Sequence, residues 1–243
     1  MAGPHGDGQH PDAALVRRFS ADEAEAAAVG ALWAELTPER AAGRSSVARR
    51  EVLSEISLLR FVRGHSGDVA KAAAAVRAML LWRAEVGADA MRERVRAADW
   101  REHLDPWRLP HATAVLPHYA ERLYHGTDRR GHPLLVTCAP IIAGIAGLMA
   151  TAPAADYLEY RLARSEAQAL LLQGMSEEEG RLIQCIYLWD LAGMTMSHWQ
   201  QLMSAPCKAY RAGFEQAAAR AYPETVRKLV AVNVPWWLEA LWR

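Results

Sequence analysis

The stretch LIQCIYLWDL, residues 182–191, decides the fold of this chain. Its only strongly polar members are Gln184 and Asp190, so a strand formed here is apolar on both faces. Such strands are typical of the middle of a parallel sheet that is covered on both sides. The segment 210–221 follows with apolar residues at helical spacing. The stretch therefore predicts a central strand followed by a crossover helix.

Two further strands are expected, one directly after the crossover helix and one upstream of the central strand in the chain. Pro223 ends the crossover helix, because the residue before a proline is pushed out of the helical region, and residues 229–232 resume as a short strand. Upstream, the charge-free segment 133–155 is long enough to cross a bilayer, but two prolines and two glycines interrupt it. It predicts a strand over 134–139, a turn and a short apolar helix. Simple burial and a partly exposed lid or membrane-touching loop remain alternatives for it.

The first part of the chain predicts helices. Ser20 and Glu23 have the spacing of a capping box, in which each side chain satisfies a backbone amide near the other. A second helix is expected over 48–63, with Gly64 as the left-handed residue that ends it.

A third helix follows directly. Asp68 is its expected N-cap, and apolar residues recur at helical spacing as far as Gly87, which can supply a left-handed C-cap. The pattern indicates three packed helices and not a coiled coil.

Composition narrows the class of protein. With 243 residues, 51% of them hydrophobic, the chain can form one moderate domain and a smaller helical partner. Its 28 basic and 28 acidic residues give zero net charge, so nucleic acid is not an expected partner. The three cysteines, Cys138, Cys185 and Cys207, are odd in number and widely spaced, which fits a reducing, cytoplasmic location. Residues 1–14 lack a signal-peptide pattern and are interpreted as a mobile leader.

Enzyme signatures are missing from the sequence. It contains no G-x-S-x-G, H-E-x-x-H or C-x-x-C motif, no phosphate loop and no dinucleotide fingerprint. His111, His118, His125 and His132 recur every seven residues, but the prolines and glycines between them prevent a shared helical face. We therefore expect a protein that is not an enzyme, with no metal and no cofactor.

Five blocks of the chain together resemble the CRAL-TRIO lipid-binding family. LLRFVRGHSGDVAKAAAAVRAMLLWR (58–83) is similar to its N-terminal helical segment. The blocks that follow in order are YHGTDRRGHPLLV (124–136), YLEYRLAR (157–164), IYLWDLAGMTMSH (186–198) and AYPETVRKLVAVNVPWWLEALW (221–242). The resemblance implies an α/β fold, with an N-terminal helical bundle segment beside a mostly parallel sheet flanked by helices around an apolar pocket. The helical segment is expected over 15–100, family-like from about residue 47, and the lipid-binding domain over 111–243.

The resemblance also implies where a ligand would bind. The matching ligand-binding positions are Tyr124, Leu135, Cys185, Tyr187 and Glu224. For the first four, a structural role is an equal alternative. The family's phosphatidylinositol site has two basic residues where this chain has His65 and Ser66, so phosphoinositide selectivity is not expected.

The resemblance implies binding, and intermembrane transfer or presentation, of a hydrophobic lipid-like ligand such as a phospholipid, by a cytoplasmic protein that contacts membranes peripherally. Family members continue beyond the position of Arg243 into a gating helix, so a domain incomplete at its C-terminal end is expected. Leu238, Leu241 and Trp242 would then form an exposed apolar patch at an open pocket. The alternative is a non-transferring interaction or membrane-docking module derived from a lipid-binding domain.

Overall fold

The computed structural model describes residues 19–99, 105–118, 121–122, 124–138 and 144–238. The first helices are α1 (Glu23–Glu35), α2 (Thr37–Ala42), α3 (Val47–Val52), α4 (Glu55–Gly64), α5 (Val69–Val86) and α6 (Ala88–Ala97). The following elements are a 3₁₀ turn (Pro106–Arg108), α7 (Ala112–Val115), β1 (Glu121–Arg122), β2 (Leu134–Cys138), α8 (Ile145–Thr151), α9 (Ala154–Glu179), β3 (Cys185–Asp190), α10 (Met196–Met203), α11 (Ala205–Ala221) and β4 (Val226–Val232).

The four described strands form one sheet in the order β1-β2-β3-β4, in which β1 is antiparallel and the other three are parallel. The predicted central strand is confirmed as β3, and the strands on either side of it are β2 and β4. Helical segments connect β2 to β3 and β3 to β4. The fold is therefore the expected α/β arrangement of a helical bundle segment beside a mostly parallel sheet.

Both crossover helices lie on one side of the sheet. Parallel crossovers are almost always right-handed, so two of them in strand order place their helices on the same face. The long helices α9 and α11 accordingly pack on each other, with the rings of Tyr157 and Tyr210 5.1 Å apart. The expectation that both faces of the central strand are covered holds in full for one face only: Cys185 is buried on the side of α9, whereas Ile186 and Leu188, on the opposite face, are half-buried.

The third predicted helix has the expected ends. Asp68 Oδ1 accepts a hydrogen bond from the Lys71 amide (3.0 Å), and Gly87 ends α5 in the left-handed region at φ 69°. Asp190 bonds the turn after β3, since its Oδ1 accepts from the Ala192 amide at 3.0 Å.

The ends of the first two predicted helices differ from expectation. The N-cap of α1 is Asp22 and not Ser20, because Glu25 is held by Arg63 (2.7 Å) and accepts a hydrogen bond from the Ala21 amide. The helix expected over 48–63 is two helices, since Ser54 caps α4.

Gly64 is not the left-handed residue that ends this second helix. The chain turns two residues later, at Ser66 and Gly67, where φ is positive.

The helical segment and the sheet domain share their buried clusters. One cluster joins α1, α4 and α5 to Leu182 and Ala221, and a second joins α6 to α9 and α11. The apolar segment 133–155 contains strand β2 and helix α8. Residues 139–143, between these two elements, lie outside the described residues. No helix among the described residues has the length and apolar character needed to cross a bilayer. The leader, 1–14, also lies outside the described residues.

Candidate ligand-binding site

Three of the predicted ligand-binding residues lie together on the face of the sheet that α9 covers. Leu135, Cys185 and Ile183 are buried in one cluster with Leu172 of α9, and Tyr187 packs against this cluster. The register pairs Leu135 with Tyr187 across β2 and β3, which places both on this face. The space against α9 is thus filled by side chains at this end of the sheet.

Hydrogen bonds hold this cluster to α9. Tyr187 Oη donates to Gln168 Oε1 (3.1 Å), and Gln168 Nε2 donates to Cys185 Sγ (3.3 Å). The Cys185 thiol in turn donates to the carbonyl of Thr225 (3.0 Å). Burial raises the pKa of the Cys185 thiol to about 11, so it stays protonated at neutral pH and is a poor nucleophile.

The other two predicted residues lie apart from this cluster. Tyr124 is 40% exposed ahead of β2. Glu224 has a left-handed φ of 52°, and its carboxylate accepts a hydrogen bond from Gln184 Nε2 (2.9 Å). Its carbonyl accepts from Arg60 Nη1 (2.5 Å). Contact of all five residues with a ligand stays a prediction.

The loop that replaces the basic headgroup residues is internally bonded. His65 Nδ1 lies 2.9 Å from the Phe61 carbonyl, and the two rings are stacked with centroids 6.5 Å apart. Ser66 follows in the left-handed region at φ 53°. Neither residue supplies the fixed positive charge that a phosphorylated headgroup requires.

The opposite face of the sheet carries an apolar surface that the sequence analysis did not single out. Six aliphatic side chains lie on it, each half-buried: Leu134, Val136, Ile186, Leu188, Val230 and Val232. We call this set the open face. None of the six belongs to, or packs against, a buried cluster of the described residues. The sequence shows apolar residues alternating along each strand. Which of the two faces stays open could be told only from the side of the sheet on which the crossover helices lie.

A cavity of about 60 Å³ lies elsewhere, between the helical segment and the sheet domain. Arg60, Arg83 and Arg92 line it, together with Glu51 and Gln173. Apolar side chains such as Ile56, Met79 and Leu172 line it as well, and it is far too small for a lipid.

The histidines that recur every seven residues in the sequence do not form a common site among the described residues. His132 is buried, with Nδ1 2.9 Å from the Gln184 carbonyl, while His111 Nε2 lies 3.0 Å from Glu159 on α9. Within the described ranges, no three His, Cys, Asp or Glu side chains form a group that could hold a metal ion.

The expected patch at the C-terminal end is wrong in part. Leu238 is buried and packs in a cluster with Leu191 and Met194, so it is not exposed. Leu241 and Trp242 lie outside the described residues.

Comparisons with known proteins agree with this geometry. The model of the CRAL/TRIO domain family matches residues 122–243. A CRAL-TRIO domain-containing protein of Caenorhabditis elegans is 25% identical over 194 residues, which are 78% of this chain and 24% of that protein. The chain thus spans about a quarter of the length of this relative.

A solved structure shows the same fold. The crystal structure of Sfh5 superposes with a TM-score of 0.57 at 14% identity, over 92% of this chain and 75% of that one.

The fold and the apolar sheet define a class of small proteins that hold hydrophobic ligands. The family match covers half of the chain, so this chain belongs to the CRAL-TRIO family. CRAL-TRIO domains bind lipids or other small hydrophobic ligands, and they are typically carriers and not enzymes.

Proposed function

We propose that this protein reversibly binds a lipid-like apolar ligand against the open face of its sheet. The observation that carries the proposal is the set of six half-buried aliphatic side chains on three adjacent parallel strands, none of which packs against a buried cluster of the described residues. Neighbouring strands lie about 4.8 Å apart, so the set is roughly 10 Å wide, which suits an acyl chain or a sterol-like ring system.

Burial of apolar surface supplies the affinity. At roughly 25 cal/mol per Å², covering on the order of 200 Å² of this face would contribute about 5 kcal/mol before the cost of ordering the ligand. Leu134, Ile186 and Lys228 are cross-strand neighbours on β2, β3 and β4. Lys228 is exposed, so a charged side chain stands at the β4 end of this row. We therefore propose a ligand that is predominantly apolar, with a polar end near β4.

A second candidate, docking on a membrane or partner without ligand transfer, is supported by exposed apolar residues after β4. Trp236 is 80% exposed, and Val234 is exposed beside it. Exposed aromatic side chains of this kind are common at membrane interfaces and protein contacts. In this case membrane contact would be peripheral and would not depend on a captured ligand.

The test is capture of lipid by the purified chain, measured by native mass spectrometry after incubation with mixed lipid extract. Leu188→Glu places a charge at the centre of the open face and should abolish capture. Leu81→Glu is the matched control, because Leu81 is 75% exposed and lies on helix α5 and not on the sheet. Val230→Thr keeps the shape of valine and should weaken capture even if the glutamate variant folds poorly.

The outcomes separate the two functions. Stoichiometric lipid that is lost in Leu188→Glu and retained in Leu81→Glu supports ligand binding. A chain that stays empty of lipid but still sediments with vesicles favours the docking module. Equal capture by both glutamate variants would place the ligand elsewhere and contradict the proposal.

A further inference from the structure

The outer edge of the sheet is formed by the long strand β4. In the order β1-β2-β3-β4 of the described strands, β4 is the last and pairs with β3 on one side. Among the described elements, β3 is also the one that packs extensively along it. The residues of β4 are exposed or half-buried along its whole length. An edge of this kind presents backbone groups that a further strand can pair with.

The outward-facing backbone groups of this edge belong to Leu229 and Ala231. The Leu191 amide donates to the Val232 carbonyl (3.0 Å), so the backbone groups of Val232 face β3. Successive residues of a strand direct their amide and carbonyl to opposite sides, so those of Val230 also face β3. Those of Leu229 and Ala231 face away from it, where no described strand lies. The edge therefore offers two amides and two carbonyls to a partner strand.

The two edges of the sheet differ in how well they are protected. The opposite edge, β1, consists of two charged residues, Glu121 and Arg122. Short strands and charged side chains are common ways in which proteins prevent pairing at an edge. In β4 the charged residues, Arg227 and Lys228, lie in the first half, and residues 229–232 carry neither a charge nor a proline. Leu229 is 43% exposed there, so the second half of β4 is open to pairing.

The sequence of β4 is complementary to a second copy of itself. In an antiparallel pair centred on Val230, this residue faces its own copy, and Leu229 faces Ala231. Lys228 then faces Val232, so no two like charges stand opposite each other. The facing pairs of Leu229 and Ala231 would each exchange two backbone hydrogen bonds. The zero net charge of the chain adds no overall repulsion between two copies.

We propose that this chain forms a two-fold symmetric dimer in which the β4 strands of two copies pair in antiparallel orientation. Such an interface uses the same surface on both copies, as is usual in homodimers. The two sheets become one continuous sheet, and the two open faces lie next to each other on the same side of it. The dimer goes beyond the binding of a ligand by one chain and does not depend on it.

The first experiment is sedimentation equilibrium of the full chain over a range of concentrations. The expected result is twice the mass of the chain at high concentration, with dissociation to the monomer on dilution. A wild-type chain that stays monomeric up to its solubility limit would overturn the proposal. The edge would then be left to an extended segment of a different polypeptide.

Two variants of Ala231 test whether the β4 edge forms the interface. Ala231→Pro removes an amide that faces outward, so it takes no hydrogen bond from the pairing with β3. It removes two of the four hydrogen bonds between the copies, so the Kd for dimerisation should rise at least about tenfold. Ala231→Thr keeps the amide and should dimerise as the wild type does. An equal Kd for all three proteins would contradict this interface.

Disulfide cross-linking tests the same pairing without the proline variant. Val230→Cys should place two thiols opposite each other, at a pair of residues whose Cα atoms are about 4.5 Å apart, within the range of a disulfide. Oxidation should then give a covalent dimer. Val226→Cys is the matched control, because Val226 is also exposed on β4 (44%) but would lie about 26 Å from its own copy in this pairing. Equal cross-linking of both variants would contradict the register.

The dimer and the proposed ligand binding can fail separately. Ala231 pairs with Trp189 of β3, in the row next to that of Val230, so its side chain points away from the open face. Ala231→Pro should therefore reduce dimerisation and leave lipid capture per chain unchanged. Leu188→Glu should abolish lipid capture and leave the Kd for dimerisation unchanged, because Leu188 lies on β3 and not at the edge.

Discussion

At the scale of single residues, Glu166 joins the helical segment to the sheet domain. Its side chain is 0% exposed and bonds Arg83 of α5 and Arg92 of α6, at 2.7 and 3.0 Å. Removing one partner of a buried ion pair leaves the other charge desolvated, which costs more than the pair itself contributes. Glu166→Gln should therefore lower the free energy of unfolding by about 3 to 5 kcal/mol, measured by urea denaturation at pH 7.

Glu159→Gln is the control on the same helix. Glu159 is 37% exposed and pairs with Arg94 at 3.0 Å, where solvent screens the charges. Its loss should cost only about 0.5 kcal/mol. A similar loss in both variants would contradict a special role for Glu166.

The same carboxyl gives the stability a defined pH dependence. Because the folded state holds its pKa below the ordinary value of 4.5, its contribution is present at higher pH and is lost as the pH falls below 4.5. The difference in unfolding free energy between wild type and Glu166→Gln should shrink in that range. A difference that stays constant from pH 7 to pH 3 would contradict this assignment.

At the scale of elements, two glycines with open surroundings should respond in opposite ways to alanine. Gly87 joins α5 and α6 at φ 69°, and an added Cβ would meet no atom within 4 Å, so only backbone strain opposes alanine there. Gly87→Ala should cost about 1 to 2 kcal/mol. Gly174 lies inside α9 with the same open space, and Gly174→Ala should stabilise by about 0.5 to 1 kcal/mol. Thermal melts of the two variants check the pair, and a stabilised Gly87→Ala would contradict the left-handed junction.

Local sequence predicted some of these elements well and others poorly. The ends of α5 were predicted because Asp68 and Gly87 act on their own neighbours in the chain. The start of α1 was not, because Glu25 is held by Arg63, which is 38 residues away. The break before α4 was missed because Ser54 can serve either as a helical residue or as a cap, and burial around it decides.

The candidate site was likewise predicted in part. Periodicity and family resemblance predicted the central strand and brought Leu135, Cys185 and Tyr187 into one cluster. They could not show that α9 fills that side, since the packing depends on residues far apart in sequence. The cavity between the helical segment and the sheet domain was also invisible, because its lining comes from six helices: α3, α4, α5, α6, α9 and α11.

At the scale of the whole molecule, ligand choice should follow the headgroup loop. Charge-assisted hydrogen bonds contribute about 1.5 to 3 kcal/mol each, so the absence of two at His65 and Ser66 should cost at least about a hundredfold in affinity for a phosphorylated inositol. Phosphatidylinositol should therefore not outcompete phosphatidylcholine in a competition assay with labelled lipids. Tighter phosphatidylinositol binding would contradict this account of the loop.

The one-sided placement of the crossover helices has a consequence for the protein in a cell. A sheet with one apolar face that is only half-buried is an incomplete sandwich, and an occupant of that face would complete the hydrophobic core from outside the chain. Chaperones and proteases recognise exposed apolar surface, so the empty form would be removed faster than the loaded one. The steady-state amount of this protein would then rise and fall with the supply of its ligand, even with constant synthesis.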